Sequence, residues 1–247
     1  MPRRLLPAAC LAPALLALGG CRVSLSPLQN RIALGQESFL VLAATGEGRA
    51  GDLYALKPAG GEVWPVTYTL VDERLPAIAP NGVGLAFVRR AGGRDDVVVM
   101  DLSTGAERRA LRLAADSVTG LAWRGQEELW IRTTGGAWRA RRAGEPTPLD
   151  VPAAERDSAF LALLGEPAFA AAGPCDTAPG VCVRTADGAE SPLAPAGRDA
   201  ARWGADSVAY FLGDRLVVRP LGPGREREVR WHPAPVTPRA VSFFPGP

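Results

Sequence analysis

The chain has 247 residues, enough for one or two domains with a sizeable buried core. Its 28 Lys and Arg nearly balance 26 Asp and Glu, and 47% of residues are hydrophobic, which excludes a disordered chain and a polybasic nucleic-acid binder. With 28 Gly and 23 Pro the pattern favours short elements joined by turns over long helices.

Residues 1–20 read as a targeting segment. Arg3 and Arg4 form a basic start, and Leu5 to Leu18 are apolar but broken by small residues and prolines, too short for a membrane-spanning helix. The segment ends in Leu18-Gly19-Gly20-Cys21, which resembles the lipobox of bacterial lipoproteins. Small residues at 19 and 20 suit the extended backbone that a lipoprotein signal peptidase takes. The Cys21 thiol is the nucleophile that accepts the diacylglyceryl group. Thioether-linked acyl chains plus an N-acyl chain satisfy the two-signal requirement for stable anchoring. An ordinary secretory signal with a chance cysteine is the alternative. Arg22 stands where an Asp would signal inner-membrane retention, which favours the outer membrane. Residues 21–38 lack clear periodicity and are expected to be a lipidated tether, followed by one domain over 39–247.

From residue 39 onward, apolar stretches of four to eight residues recur between Gly, Pro, Asp and Asn turns, a pattern of β-strands in units of about 40 residues. The first unit supplies strands at 39–44, 52–56 and 62–67. The second supplies 76–79, 84–88, 96–102 and 106–113, and is the clearest of the set. It runs from Asp72-Glu73-Arg74-Leu75-Pro76 through Pro80-Asn81-Gly82 and Leu85-Ala86-Phe87-Val88 to Asp95-Asp96-Val97-Val98-Val99-Met100-Asp101, then the turn Ser103-Thr104-Gly105. This unit resembles the TolB-like, WD40-like propeller repeat, with Asn81-Gly82 replacing the usual Asp-Gly in a tight hairpin. The resemblance implies four-stranded blades around a central channel. It does not extend to the α/β domain that precedes the propeller in TolB itself, so its partner specificity is not carried over.

The third unit gives strands at 118–123, 128–132, 136–140 and 146–151, the fourth at 159–163, 167–171, 180–185 and 190–193, and the fifth at 200–203, 207–211, 214–219 and 226–231. Within the fourth unit, Cys175 and Cys182 form an even pair once Cys10 leaves with the signal and Cys21 takes lipid. In an oxidising compartment they are expected to close a hairpin as a disulfide. A metal would need two more soft ligands, and the one histidine, His232, lies far away in sequence. The chain ends with an orphan innermost strand at 239–243, while the first unit lacks one. The fold expected is therefore all-β: a single β-propeller of five four-stranded blades, closed by the C-terminal strand. A β-sandwich is the structural alternative.

Asp72, Asp116, Asp157 and Asp199 recur just before innermost strands and would ring one mouth of the channel, as a binding rim or as turn-capping groups. Thr237-Pro238-Arg239 breaks the ring at the fifth position, so no metal is expected there. Trp64, Trp123, Trp130, Trp138, Trp203 and Trp231 are expected to wedge between blades, with Trp123 and Trp203 at equivalent positions. Arg139, Arg141 and Arg142 read as a basic loop surface, and Arg225-Glu226-Arg227-Glu228 as a solvated edge strand. No nucleophile elbow, phosphate loop or dinucleotide fingerprint occurs, and the adjacent Glu127 and Glu128 point to opposite faces of a strand. The expectation is an envelope-anchored, non-catalytic binding or scaffold module without a cofactor, with a membrane anchor, a protein partner and no nucleic acid. The alternative is a five-bladed carbohydrate-active hydrolase or lyase working through carboxylates at the channel rim.

Overall fold

The computed structural model describes residues 28–45, 50–142, 144–150, 171–176, 178–185, 189–203, 206–232 and 237–247. In chain order the first unit holds β1 (Phe39–Thr45), β2 (Gly51–Leu56), β3 (Gly61–Glu62) and β4 (Trp64–Pro65). The second holds β5 (Asp72–Ile78), β6 (Gly84–Ala91), β7 (Arg94–Asp101) and β8 (Glu107–Arg112). The third holds β9 (Val118–Arg124), β10 (Glu128–Thr133), β11 (Ala137–Arg141) and β12 (Thr147–Pro148). Then come β13 (Ala171–Pro174), β14 (Val181–Arg184) and β15 (Glu190–Ala194). The last unit holds β16 (Arg198–Trp203), β17 (Ser207–Leu212), β18 (Arg215–Pro220) and β19 (Arg227–Val229), followed by β20 (Trp231–His232) and β21 (Thr237–Phe244).

The fold is all-β, a propeller-like arrangement of four antiparallel four-stranded blades rather than five. Blade I has the order β21-β1-β2-β4, blade II β5-β6-β7-β8, blade III β9-β10-β11-β12 and blade IV β16-β17-β18-β19. The 157–193 unit, expected to be a full blade, contributes the three-stranded sheet β13-β14-β15, and the strand expected at 159–163 lies outside the described residues. Composition sets this sheet apart from the four blades. Ala171-Ala172-Gly173-Pro174 puts small residues, and a proline without an amide donor, where the other sheets carry branched and aromatic side chains. The outer strands are also shorter than expected: β4 and β12 have two residues each. A parallel pair of β3 with β20 ties blade I to the end of blade IV.

The second strands of blades I, II and IV are buried on both faces, which is why they read as continuous apolar runs, whereas β10 of blade III alternates, with Leu129, Ile131 and Thr133 buried. On β1, Phe39, Val41 and Ala43 pack toward blade II with Leu85, Phe87 and Met100. Leu40 and Leu42, one residue out of step, pack toward blade IV with Ala209, Phe211 and Leu216. Strand β6 repeats the division: Leu85 and Phe87 face blade I, while Ala86 and Val88 face Leu129 and Ile131 of blade III. Each of the Val, Leu, Ile, Phe and Met side chains contributes about 1.5–3 kcal/mol when fully buried, and each Ala less. The core is thus a set of layers between neighbouring sheets.

Residues 28–38, read as part of a tether, fold back on the ring: Leu28 and Ile32 are buried with Phe39, Leu102 and Phe244. Arg31 and Ile32 amides donate to the Leu28 carbonyl at 3.0 and 3.3 Å, and the Ala33 amide donates to Glu37 Oε1 at 2.8 Å. That backbone bond holds the Glu37 carboxyl below its ordinary value.

Cys175 and Cys182 form a disulfide with Cα atoms 4.9 Å apart. It closes the β13–β14 hairpin, where Ala172 pairs with Val183 and Gly173 with Cys182. Replacing both cysteines with alanine is expected to lower stability by about 2–3 kcal/mol on the chain-entropy model. Denaturant unfolding of the double variant checks this, and an unchanged midpoint would show that the hairpin is held without the bridge.

Candidate functional site

Antiparallel pairing makes every innermost strand begin on one face of the ring and end on the other, here termed the leading and trailing faces. Strands β9, β5, β21 and β16 lie side by side around the axis, with β13 next to β16. Together they line a central cavity of about 470 Å³. Its wall is largely Ala, Leu, Ile and Val, with Arg132, Arg202 and Arg239 against Asp199 among the described charged residues. Burial lowers the pKa of Arg202, the sign of a cation held partly out of water.

Three of the four rim aspartates lie at the leading ends of innermost strands, and Asp157 lies outside the described residues. Asp72 opens β5, where its Oδ1 accepts from the Gly51 amide at 3.1 Å and the Arg239 guanidinium at 3.0 Å. A Cβ at position 51 would sit 2.7 Å from that oxygen, so only glycine admits the contact. Asp116 repeats the arrangement beside Gly135, whose Cβ would lie 2.6 Å from Oδ2, and it accepts from the Thr134 hydroxyl at 3.5 Å. Asp199 pairs with Arg198, which also donates to the Pro238 carbonyl at 2.9 Å. Asp72 and Asp199 are therefore each held by an arginine. Among the described residues no group of three His, Cys, Asp or Glu could hold a metal ion.

A second set of acids binds one blade to the next. Asp52 and Asp95 stand in the third strands of blades I and II, 43 residues apart, and both are buried. Asp52 accepts from the Thr69 amide at 2.9 Å, in the segment leading to β5. Asp95 accepts from the Val118 amide at 2.8 Å, at the start of β9. Glu73 is fully buried, with Arg89 2.7 Å away, and burial pushes its carboxyl up. Arg89 also holds Glu107 at 2.8 and 2.9 Å and lies over the Phe87 ring. The repeat spacing of Asp52 and Asp95 was a usable sequence signal for these interblade ties.

Trp123 and Trp203 each tie an innermost strand to a neighbouring one, by different contacts and in opposite directions around the ring. Trp123 Nε1 donates to the Ala77 carbonyl of β5 at 2.9 Å, while Trp203 stacks on Phe243 of β21 with ring centroids 4.3 Å apart. Of the arginines read as a loop surface, Arg139 and Arg141 stand on strand β11. Arg142, just beyond it, lines a trailing-face groove between blades II and III together with Arg108. Arg225 to Glu228 are exposed at the outer edge of blade IV.

The chain matches no protein-family model and no curated relative in sequence. Among solved structures it is similar to TolB from Acinetobacter baumannii at 14% identity and a TM-score of 0.49, covering 84% of this chain and 66% of that one. A nidogen/laminin complex chain is similar at 10% identity and a TM-score of 0.46, covering 83% of this chain and 98% of that one. A puromycin-hydrolyzing peptidase from Mycobacterium tuberculosis is similar at 16% identity and a TM-score of 0.38, covering 78% of this chain and 44% of that one. These proteins differ in role, and the propeller-like architecture rests on the sheet order itself.

Proposed function

We propose that the chain is a cell-envelope lipoprotein, lipidated at Cys21, whose propeller is a non-catalytic module for binding a protein partner. The observation that carries this reading is the convergence of innermost strands from separate sheets around one cavity, with their leading ends presenting Asp72, Asp116, Asp199 and Arg239 together. Loops from several sheets on a rigid scaffold make a recognition surface. The arginines that hold Asp72 and Asp199 favour recognition over proton transfer at these carboxylates.

The packing of residues 28–38 supports an orientation. Leu28 is buried in the layer that holds Phe39, Leu102 and Phe244 at the trailing face, and seven residue steps separate it from Cys21. At about 3.4 Å per step the anchor reaches no more than roughly 24 Å from the ring. The leading face then looks away from the membrane, toward a partner in the outer-membrane periplasmic space.

Affinity capture from envelope extract tests the reading. The wild-type protein is expected to retain one stoichiometric partner, lost when Asp72, Asp116, Asp157 and Asp199 are changed to Asn. Cys21→Ser is expected to release the protein into the soluble fraction without changing its melting temperature. A Cys21→Ser protein that stays membrane-bound would overturn the anchor. Turnover of an envelope polysaccharide, with no partner retained, would overturn the binding role.

A further inference from the structure

The groove between blades II and III on the trailing face, about 360 Å³, holds a guanidinium that no carboxylate of the fold bonds directly. Arg108 pairs with Val99 through the backbone of β8 and is half-buried, and among the described residues its guanidinium makes no hydrogen bond or ion pair. Its neighbours on the same strand differ. Arg109 lies 3.9 Å from Asp96, and Arg112 holds Asp96 at 2.7 Å. The acids around Arg108 are committed elsewhere: Glu107 takes both its bonds from Arg89, Glu127 is 3.7 Å from Arg142, and Asp101 caps the amides of Ser103 and Thr104. Burial and the nearby Arg142 charge both lower the Arg108 pKa, with Glu127 opposing them. Trp123, Val83 and Met100 give the groove an apolar wall beside the two cations.

A half-buried guanidinium that no carboxylate bonds, next to a second one, bears a desolvation offset only by the Glu127 charge, and a ligand oxyanion would add counter-charge there. Two guanidinium groups offer the forked donors that carboxylate and phosphate oxygens accept. We propose that this groove is a binding site for an oxyanion, a phosphate or carboxylate group, carried by a ligand whose apolar part rests against Trp123. The site lies on the opposite face from the rim aspartates and stands independently of the partner-binding reading, which the Asp→Asn capture experiment tests alone.

The test is a titration of the purified protein at constant ionic strength with inorganic phosphate and, separately, with succinate, following arginine Nε–H signals by NMR. The wild type is expected to show saturable shifts at Arg108. Arg108→Gln should weaken binding about tenfold or more, while Arg109→Gln leaves it unchanged. Saturation by phosphate alone, by succinate alone or by both supports the site and assigns its class. Shifts that never saturate, or that persist equally in Arg108→Gln, overturn it. A second measurement protects against a folding artefact. Arg108→Leu is expected to raise the melting temperature by about 2–4 °C, and a fall would instead mark a structural arginine and overturn the proposal.

Discussion

Truncation ahead of Thr237 is expected to leave a chain that does not fold cooperatively. Strand β21 pairs with β1 from Phe39↔Phe244 to Thr45↔Thr237, so its loss strips one whole ladder from the second strand of blade I. The same strand contacts β5 and β16, and its removal would uncover the core layers on both sides. It also carries the Ser242 hydroxyl that accepts from the Ile78 amide at 3.0 Å, the Arg239 partner of Asp72 and the Phe243 ring stacked on Trp203. Net stability of a domain is only about 5–15 kcal/mol, which losses on this scale exceed. A graded version is Phe244→Ala. Phe244 is buried, 5.6 Å from the Phe39 ring, and its ring edge lies 2.6 Å from where a Cβ on Gly82 would stand. Gly82 has φ +64, so the turn and the ring both require a glycine there. The substitution should cost about 3–5 kcal/mol, seen as a melting temperature lower by roughly 10 °C. Phe243→Ala, which removes a half-buried ring, should cost less. A truncated protein that melts with a wild-type transition would show that the ring does not depend on closure.

How far the sequence predicted this structure depended on what each residue touches. Strands such as Phe39-Leu40-Val41-Leu42 were legible because both faces are buried between blades, so every position is apolar. The third and innermost strands were legible from turn residues such as Asn81-Gly82 and from the repeat spacing. The blade count was not legible, because an evenly spaced strand pattern says nothing about how much each strand buries. The second strand of the fourth unit is expected at 167–171, and the described strand β13 is Ala171–Pro174, a run of small residues and a proline unlike the second strands of the four blades. The turn back of residues 28–38 was missed since Leu28, Ile32 and Leu34 follow no strand or helix period; they fill a hollow shaped by other segments. At the rim, position relative to the strands was readable while charge balance was not. Arg239 was read as a break in the acidic ring, and it is the partner of Asp72. Arg108 carried no sequence signal, because its significance lies in which acids are already engaged by other arginines.

Asp95→Ala is expected to destabilise far more than Asp96→Ala, although the two aspartates are adjacent. Side chains alternate across a strand, so they face opposite sides of β7. Asp95 is 1% exposed, and its Oδ2 accepts from the Val118 amide at 2.8 Å and the Arg74 guanidinium at 2.5 Å. Arg74 also donates to the Val118 carbonyl at 3.3 Å, so both backbone groups of one residue in blade III are held by side chains of blade II. Removing Asp95 leaves a buried amide unsatisfied and the Arg74 charge uncompensated. Arg74 keeps some contact with water, so the low end of the range for a broken buried pair applies, about 3 kcal/mol. For a chain of this size that is a fall of roughly 10 °C in melting temperature. Asp96 meets the exposed guanidinium of Arg112 at 2.7 Å, a surface pair that water and salt screen and that contributes little to stability. The double variant Arg74→Met, Asp95→Leu should recover part of the loss, since an apolar pair removes the stranded charge while the Val118 amide stays unsatisfied. Equal costs for the two single aspartate variants would mean that blades II and III are joined by their apolar layer alone. A matching cost for Asp52→Ala, which removes the acceptor of the Thr69 amide one blade earlier, would make the buried aspartate of the third strand a repeating interblade tie.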